Sequence, residues 1–241
     1  MRKKSQREMD RLRRKNRQAR RAIGGPQPFT TDEEVLAFAK KFLRGRAWDF
    51  KKNLDICLTG RANSYRKQDH AYMPGLLITI AFIEMLARLY AGDVSNPGGG
   101  PHFLAYMQKF MPTGRYKDDH LRLLYVGFRH KLAHLNHPYF VLDSARERPW
   151  LALPAMRVVW RIYAAPRRTP IELVPEVGVI DTQPTPGLAG IAFDNRVHIS
   201  ITSLARDARN SLRGPAGYIA ALANPVVLHK FKRCMTHFYS T

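Results

Sequence analysis

The sequence predicts a mainly α-helical protein with a small antiparallel β-sheet and C-terminal helices. From Thr31 to Pro138 apolar residues recur at intervals of three and four, the period of an amphipathic helix. Beyond Trp150 the pattern changes to short runs rich in β-branched and aromatic residues, which favour strands. Helical spacing returns at Ser203. We therefore expect a basic arm, a helical domain, and a sheet whose C-terminal helices pack on that domain, over residues 1–28, 29–145 and 146–241.

The predicted arm is strongly basic. Residues 1–24 hold eleven Lys/Arg against two acidic residues, and the arm ends in Gly24-Gly25-Pro26-Gln27-Pro28, which should break any helix. Two interpretations stay open. The arm is either a solvated tail that aids solubility or a segment that binds nucleic acid. If the arm binds nucleic acid, we expect its contacts to come from two pairs of adjacent arginines, Arg13 with Arg14 and Arg20 with Arg21.

The first predicted helix begins at a capping box, Thr31-Asp32-Glu33-Glu34, and extends through Trp48 and Ile56 to a loop at Gly60. Pro74 favours the first turn of a second helix. Its run from Leu76 to Tyr90 is apolar on nearly all sides until Gly92, so we expect it to be the central, buried helix. Within it, Glu84 and Arg88 are spaced to form an ion pair one turn apart.

Two further helices are predicted before the strands. A loop from Asn96 to Pro101 precedes a short amphipathic segment over 103–111. Asp118 or Asp119 can then cap a helix whose inward face runs from Leu121 to Leu132 until Pro138 ends the pattern.

The C-terminal region begins with strands and ends with helices. The expected strands cover Arg157–Tyr163, Ile171–Val174 and Arg196–Ile201. Ser203 is then expected to cap a helix through Leu212, and Asn224-Pro225 to start a last helix.

The overall charge points to a polyanionic partner. The formal net charge is +21 and the pI is near 10.5, and about +12 of that charge lies outside residues 1–24. Such a surface favours nucleic acid, and RNA is the partner we expect. Two cysteines are too few for a disulfide framework, which favours a reducing compartment, the cytoplasm by default. No run of about 18 apolar residues occurs, so no membrane-spanning helix is expected. Acidic membrane lipid is the lesser alternative for the polyanion, and we expect RNA and no membrane partner.

One cluster combines groups suited to phosphate chemistry. Arg129 can grip a phosphate with two hydrogen bonds, while His130 and His134 can exchange protons near neutral pH. The two histidines are four residues apart and share a helix face. Lys131 adds a further cation. The alternative is that the histidines only satisfy carbonyl groups at the end of the helix.

The segment Arg129-His130-Lys131-Leu132-Ala133-His134 resembles the Arg, polar residue, short spacer, His motif of HEPN domains. Many members of that all-helical superfamily are metal-independent ribonucleases that act as dimers. The resemblance covers about residues 30–142 and implies that Arg129 and His134 are catalytic, with His130 in the polar position. It implies a composite site in a homodimer, no cofactor or metal, and a regulatory partner such as an antitoxin. The strands and last helices would be additions to the minimal bundle.

The histidines of this cluster could instead bind a metal ion. His130 and His134 have the spacing of two metal ligands on one helix, with His120, Asp119 or His137 as a third, although the adjacent Lys131 opposes a bound cation.

A non-catalytic RNA-binding or interaction protein would explain the charge equally well. In that case the loop containing Tyr65, Arg66, Lys67 and His70 could bind nucleic acid by stacking and charge, with Arg66 and Lys67 as its cations.

Overall fold

The computed structural model describes residues 31–59, 72–93, 100–112, 114–125, 142–143, 156–179 and 192–240. These residues are mostly helical and include a small mixed sheet, which confirms the mainly helical prediction. The helices are α1 (Asp32–Thr59), α2 (Tyr72–Ala91), α3 (Gly100–Phe110), α4 (Asp118–Leu123), α5 (Ile201–Asn210), α6 (Tyr218–Ala221) and α7 (Pro225–Ser240). The strands are β1 (Leu142–Asp143), β2 (Arg157–Tyr163), β3 (Ile171–Val179) and β4 (Ala192–Ser200).

α1 starts at the predicted capping box. The Thr31 N–H donates to Glu34 Oε2 at 3.3 Å, and the Glu34 N–H donates back to Thr31 Oγ1 at 3.2 Å. These two bonds satisfy donors that the first turn of a helix leaves unpaired. The buried side of α1 carries Val35, Ala39 and Leu43.

α2 is the central helix, as predicted. It contacts α1, α3, α5 and α7, and Leu76, Ile83 and Leu86 are fully buried within this core. Glu84 and Arg88 form the expected partly buried ion pair at 3.3 Å. By length and composition α2 could cross a membrane, but half of its most apolar window is buried inside the protein. The buried side of the helix packs against α1, α3, α5 and α7.

The sheet has the strand order β1-β2-β4-β3. β4 lies between β2 and β3, pairing parallel with β2 and antiparallel with β3, and β1 pairs antiparallel with β2. The prediction of a purely antiparallel sheet was therefore wrong. The reason is that β3 does not pair with its predecessor β2, because β4 inserts between them and runs in the direction of β2.

The observed ends of the strands differ in how closely they match the ends predicted from the sequence. β2 matches its prediction, whereas β3 continues beyond the expected end to Val179. β4 begins earlier than expected, at Ala192, and ends at Ser200, so Ile201 belongs to α5.

The two faces of the sheet differ in character. Val158, Ile171, Val197 and Ile199 are fully buried in the core. Alternation along each strand places the polar residues on the opposite face. This outer face carries Arg161, Tyr163, Glu172, Arg196 and His198.

Two predicted N-caps are corrected. Ser200 caps α5, because its Oγ accepts the Ser203 N–H at 3.2 Å, and the helix ends at Asn210 instead of Leu212. Ser203 lies in the first turn and its Oγ donates to the Arg167 carbonyl at 2.8 Å. At α4 the N-cap position is Lys117, and Asp118 is already helical.

Of the starts of α3 and α7, only that of α3 differs from the prediction. Gly100 and Pro101 begin α3 instead of ending the preceding loop, since proline suits a helix's first turn. The start of α7 is confirmed, because Asn224 Oδ1 accepts the Val226 N–H at 2.9 Å immediately before the helix.

Candidate nucleic-acid interface

The site residues expected from the sequence lie outside the described residues. This holds for Arg129, His130, Lys131, His134 and the possible ligand His137, for the loop cations Arg66 and Lys67, and for the arm residues Arg13, Arg14, Arg20 and Arg21. The helix predicted to carry the cluster is described only from Asp118 to Tyr125. Its first residues are therefore the part that can be compared with the sequence.

His120 in α4 has a structural contact. It is 8% exposed, and its Nδ1 lies 3.0 Å from the carbonyl oxygen of Ile171 at the start of β3. Burial lowers its pKa from the usual value, against the opposing effect of the Ile171 bond. A neutral imidazole then donates from Nδ1 to that carbonyl. The described residues contain no group of three or more His, Cys, Asp or Glu arranged to hold a metal ion.

A different cationic site lies between α1 and the segment that joins α5 to α6. It is a cavity of about 800 Å³, which we call the basic groove. Lys40, Arg44 and Trp48 line it from α1, and Arg209 and Arg213 line it from the other side. Apolar residues complete the walls, among them Leu36, Leu212, Ile219, Ala220 and Ala223.

The spacing of α1 places its groove residues on one side. Leu36, Lys40, Arg44 and Trp48 follow one another at intervals of four, so each lies about 6 Å further along the helix. Because the core holds Val35, Ala39 and Leu43 on another face of α1, this row is left to line the groove.

The second wall forms around the end of α5. Ala208 and Leu212 are buried there, and the chain turns at Gly214, whose φ of +75° favours glycine. Arg209 and Arg213, also four residues apart, face the groove from this turn. Two pairs of like charges therefore line opposite walls of one cavity.

The groove has an unbalanced charge. Among the described residues no Asp or Glu lines it, and none of its four cations forms an ion pair with a described residue. The Nε of Arg209 is buried without a hydrogen-bond partner among those residues. Like charges one turn apart and an unpaired buried donor both destabilise a fold. A polyanion in the groove would offset these costs.

Two other cations on α1 are neutralised locally. Arg46 lies 3.2 Å from Asp49, and Lys51 lies 2.5 Å from Asp55. Lys40 and Arg44 have no such acidic partner among the described residues.

Trp48 stands out at the end of the row. Its side chain is 63% exposed, and Lys52 Nζ lies 5.4 Å from the centre of its ring. The helical spacing alone predicts Trp48 only as one more apolar position of the first helix. The signal that could have revealed the site is the repeat of Lys40, Arg44, Trp48 and Lys52 at a spacing of four.

The outer face of the sheet is a second basic surface, but its groups bind one another. The Arg167 guanidinium lies 3.8 Å above the Tyr163 ring, and its Nη1 is 3.2 Å from Nδ1 of His198. Arg167 also lies 3.9 Å from Glu172. Burial, and then Arg167, lowers the pKa of His198. Since these groups already have partners, the basic groove is the stronger candidate for a bound polyanion.

Comparison with known proteins adds no relative: no protein-family model, curated protein or solved structure matches this chain.

Proposed function

We propose that this protein binds RNA and that the basic groove is part of the interface. The observation that carries the proposal is a set of four cations on both walls of one cavity that form no ion pair with a described residue, with no carboxylate among the described lining residues. Contacts from Lys and Arg to phosphates supply most of the sequence-independent affinity for nucleic acid. The net charge of +21 favours rapid association with the same partner.

A binding titration with the full chain tests this proposal. A fluorescein-labelled RNA should bind at low salt, and the logarithm of the binding constant should fall linearly with the logarithm of salt concentration. An acidic polypeptide at equal charge concentration serves as the competitor. No binding at 50 mM salt, or equal competition by the polypeptide, would refute RNA as the partner.

A second proposal concerns catalysis, and its support is the sequence motif from Arg129 to His134. Its resemblance to HEPN domains favours a metal-independent endoribonuclease. In the proposed reaction the RNA 2′-oxygen forms a bond to the adjacent phosphorus, and the bond to the 5′-oxygen breaks. His134 moves protons between these two oxygens, and Arg129 stabilises the charge that grows on the phosphoryl oxygens. An isologous homodimer would bring two copies of the motif to one site, and an antitoxin-like partner could regulate it.

Cleavage assays separate this proposal from simple binding. Product with a 2′,3′-cyclic phosphate should form in excess chelator, and RNA that is 2′-deoxy at the cut site should stay intact. His134→Ala should lower the rate by a factor on the order of 10² to 10⁴ while RNA affinity stays close to the parent's. Arg129→Lys should also reduce the rate, because an ammonium cannot reproduce the two-pronged phosphate contact.

The possible outcomes are distinct. If the protein binds RNA but never cleaves it, the catalytic proposal is wrong and the binding proposal stands. If zinc or manganese restores activity after chelation, a metal-dependent mechanism replaces the one above. Light scattering that shows a cleaving monomer would remove the composite dimer site.

A further inference from the structure

We infer that Trp48 is a base-stacking platform and that the cations of the basic groove hold the phosphates next to the stacked nucleotide. This inference rests on the proposed RNA binding and adds the residue that would read an unpaired base. It is carried by the position of an exposed indole at the end of a row of cations that form no ion pair with a described residue.

The Trp48 ring is exposed to solvent. Trp48 is one of the few large hydrophobic side chains among the described residues that lie mostly in solvent, at 63% exposure. Exposed tryptophan leaves a large apolar area in water that stacking would bury. A base stacked on an aromatic side chain strengthens binding by roughly five- to 150-fold. Lys52 Nζ lies 5.4 Å from the centre of the ring, so its flexible side chain would move aside for a stacked base and leave a further cation beside that nucleotide.

The basic groove is long enough for several nucleotides. Its wall on α1 extends from Leu36 to Trp48, twelve residues apart, or about 18 Å at the helical rise. That length exceeds what one nucleotide occupies and suits several consecutive ones. Arg44 precedes Trp48 by one turn and Lys40 precedes it by two, so phosphates can follow the helix towards a base at the indole.

The groove and Trp48 together fit an unpaired strand better than a duplex. A duplex presents its phosphates outward but keeps the faces of its bases stacked inside, so it can use Arg44 and Lys40 but not Trp48. An unpaired strand can use all three. The chain's own arm, residues 1–24, is a poor occupant because its net positive charge has the same sign as the groove.

The test compares groove variants with matched controls in the full chain. One variant is Lys40→Gln with Arg44→Gln. Its control is Lys41→Gln with Lys51→Gln, which removes two charges from the same helix outside the groove. A labelled 12-nucleotide single strand is titrated at several salt concentrations. The groove variant should lower the steepness of the salt dependence by about 1.4, since each phosphate contact contributes about 0.7 for a single strand, and the control should change it by less than half as much.

The stacking step needs its own pair of variants. Trp48→Ala should weaken single-strand binding about tenfold, within the range of about 1–3 kcal/mol for stacking, and Trp48→Phe should restore part of the loss. Binding of the matching duplex should change less than twofold in both. Circular dichroism confirms that each variant is folded, which the exposure of Trp48 leads us to expect.

Each result decides something. If the Lys40→Gln/Arg44→Gln variant and Trp48→Ala both bind RNA as the parent does, this inference is wrong while RNA binding itself stands. If the parent binds no RNA, the inference and the proposed RNA binding are both wrong. Equal losses for duplex and single strand in Trp48→Ala would refute stacking. If a mononucleotide at equal molar concentration displaces the RNA strand, the groove is a site for a small ligand and the inference of a single-strand interface is wrong.

Discussion

Arg115 and Asp207 form a salt bridge in which the carboxylate is almost wholly buried: Nη1 lies 2.7 Å from Oδ2, and the Asp207 side chain is 3% exposed. The Tyr116 hydroxyl donates to the same Oδ2 at 2.9 Å. Arg115 also donates to the Arg168 carbonyl at 2.8 Å. These bonds connect the segment before α4, the turn between β2 and β3, and α5, so they join the helices to the sheet.

Asp207→Ala should therefore lower the free energy of unfolding by about 3 kcal/mol, because it leaves the Arg115 guanidinium and the Tyr116 hydroxyl without their partner. Urea denaturation measures the loss. Asp49→Ala is the control, since its ion pair with Arg46 is exposed and such pairs contribute about 1 kcal/mol or less. Equal losses of unfolding free energy in the two variants would show that the buried Arg115–Asp207 pair stabilises the fold no more than the exposed pair does.

Two glycines should respond to alanine in opposite directions. Gly92 has a φ of +71°, and a Cβ there would lie 2.7 Å from Cβ of Lys230. Gly92→Ala should therefore destabilise the protein by about 1 kcal/mol or more from the backbone alone. Gly45 is exposed in the middle of α1 with nothing within 4 Å of a Cβ, so Gly45→Ala should stabilise by about 0.5–1 kcal/mol. Thermal melting of both variants checks the signs, and a higher melting temperature for Gly92→Ala would be inconsistent with this packing.

The capping box should have a measurable contribution. Thr31→Ala removes the oxygen that accepts the Glu34 N–H and should cost about 1 kcal/mol. Thr31→Ser keeps the hydroxyl and should remain within a few tenths of a kcal/mol of the parent. Chemical denaturation of both compares them, and indistinguishable stabilities would show that the box is energetically unimportant.

The stability should fall in mild acid, in part through His120. Burial lowers its pKa in the folded protein, so as pH falls below about 6.5 the unfolded chain takes up a proton first. The contribution is thus fully present above that pH and is lost as pH falls towards the lowered pKa. His120→Asn keeps a donor for the Ile171 carbonyl but does not titrate. It should lose less stability than the parent between pH 7 and pH 5, and identical pH profiles would exclude this role.

Local patterns predicted much of the fold because they are decided within a few residues. The Thr31–Glu34 box, the Glu84–Arg88 pair and the start of α7 at Asn224 each depend on groups three or four positions apart. The limits of β2 follow in the same way from a run of β-branched and aromatic residues.

Local patterns could not predict the features of the fold that depend on contacts between distant parts of the chain. The parallel pairing of β2 with β4 depends on which strand enters the sheet between two others. α5 begins directly at the end of β4, so the cap moves from Ser203 to Ser200. The basic groove needs Arg209 and Arg213 opposite α1, a contact between segments about 170 residues apart.

Ultraviolet cross-linking of RNA to the full chain, followed by mass spectrometry of the cross-linked peptides, shows which segments contact RNA. We expect cross-links in the peptide that contains Trp48 and in the peptides around Arg209 and Arg213, with fewer at high salt. Cross-links confined to residues 1–24 or to the outer face of the sheet around Arg161, with none on α1, would contradict the basic groove as an RNA interface.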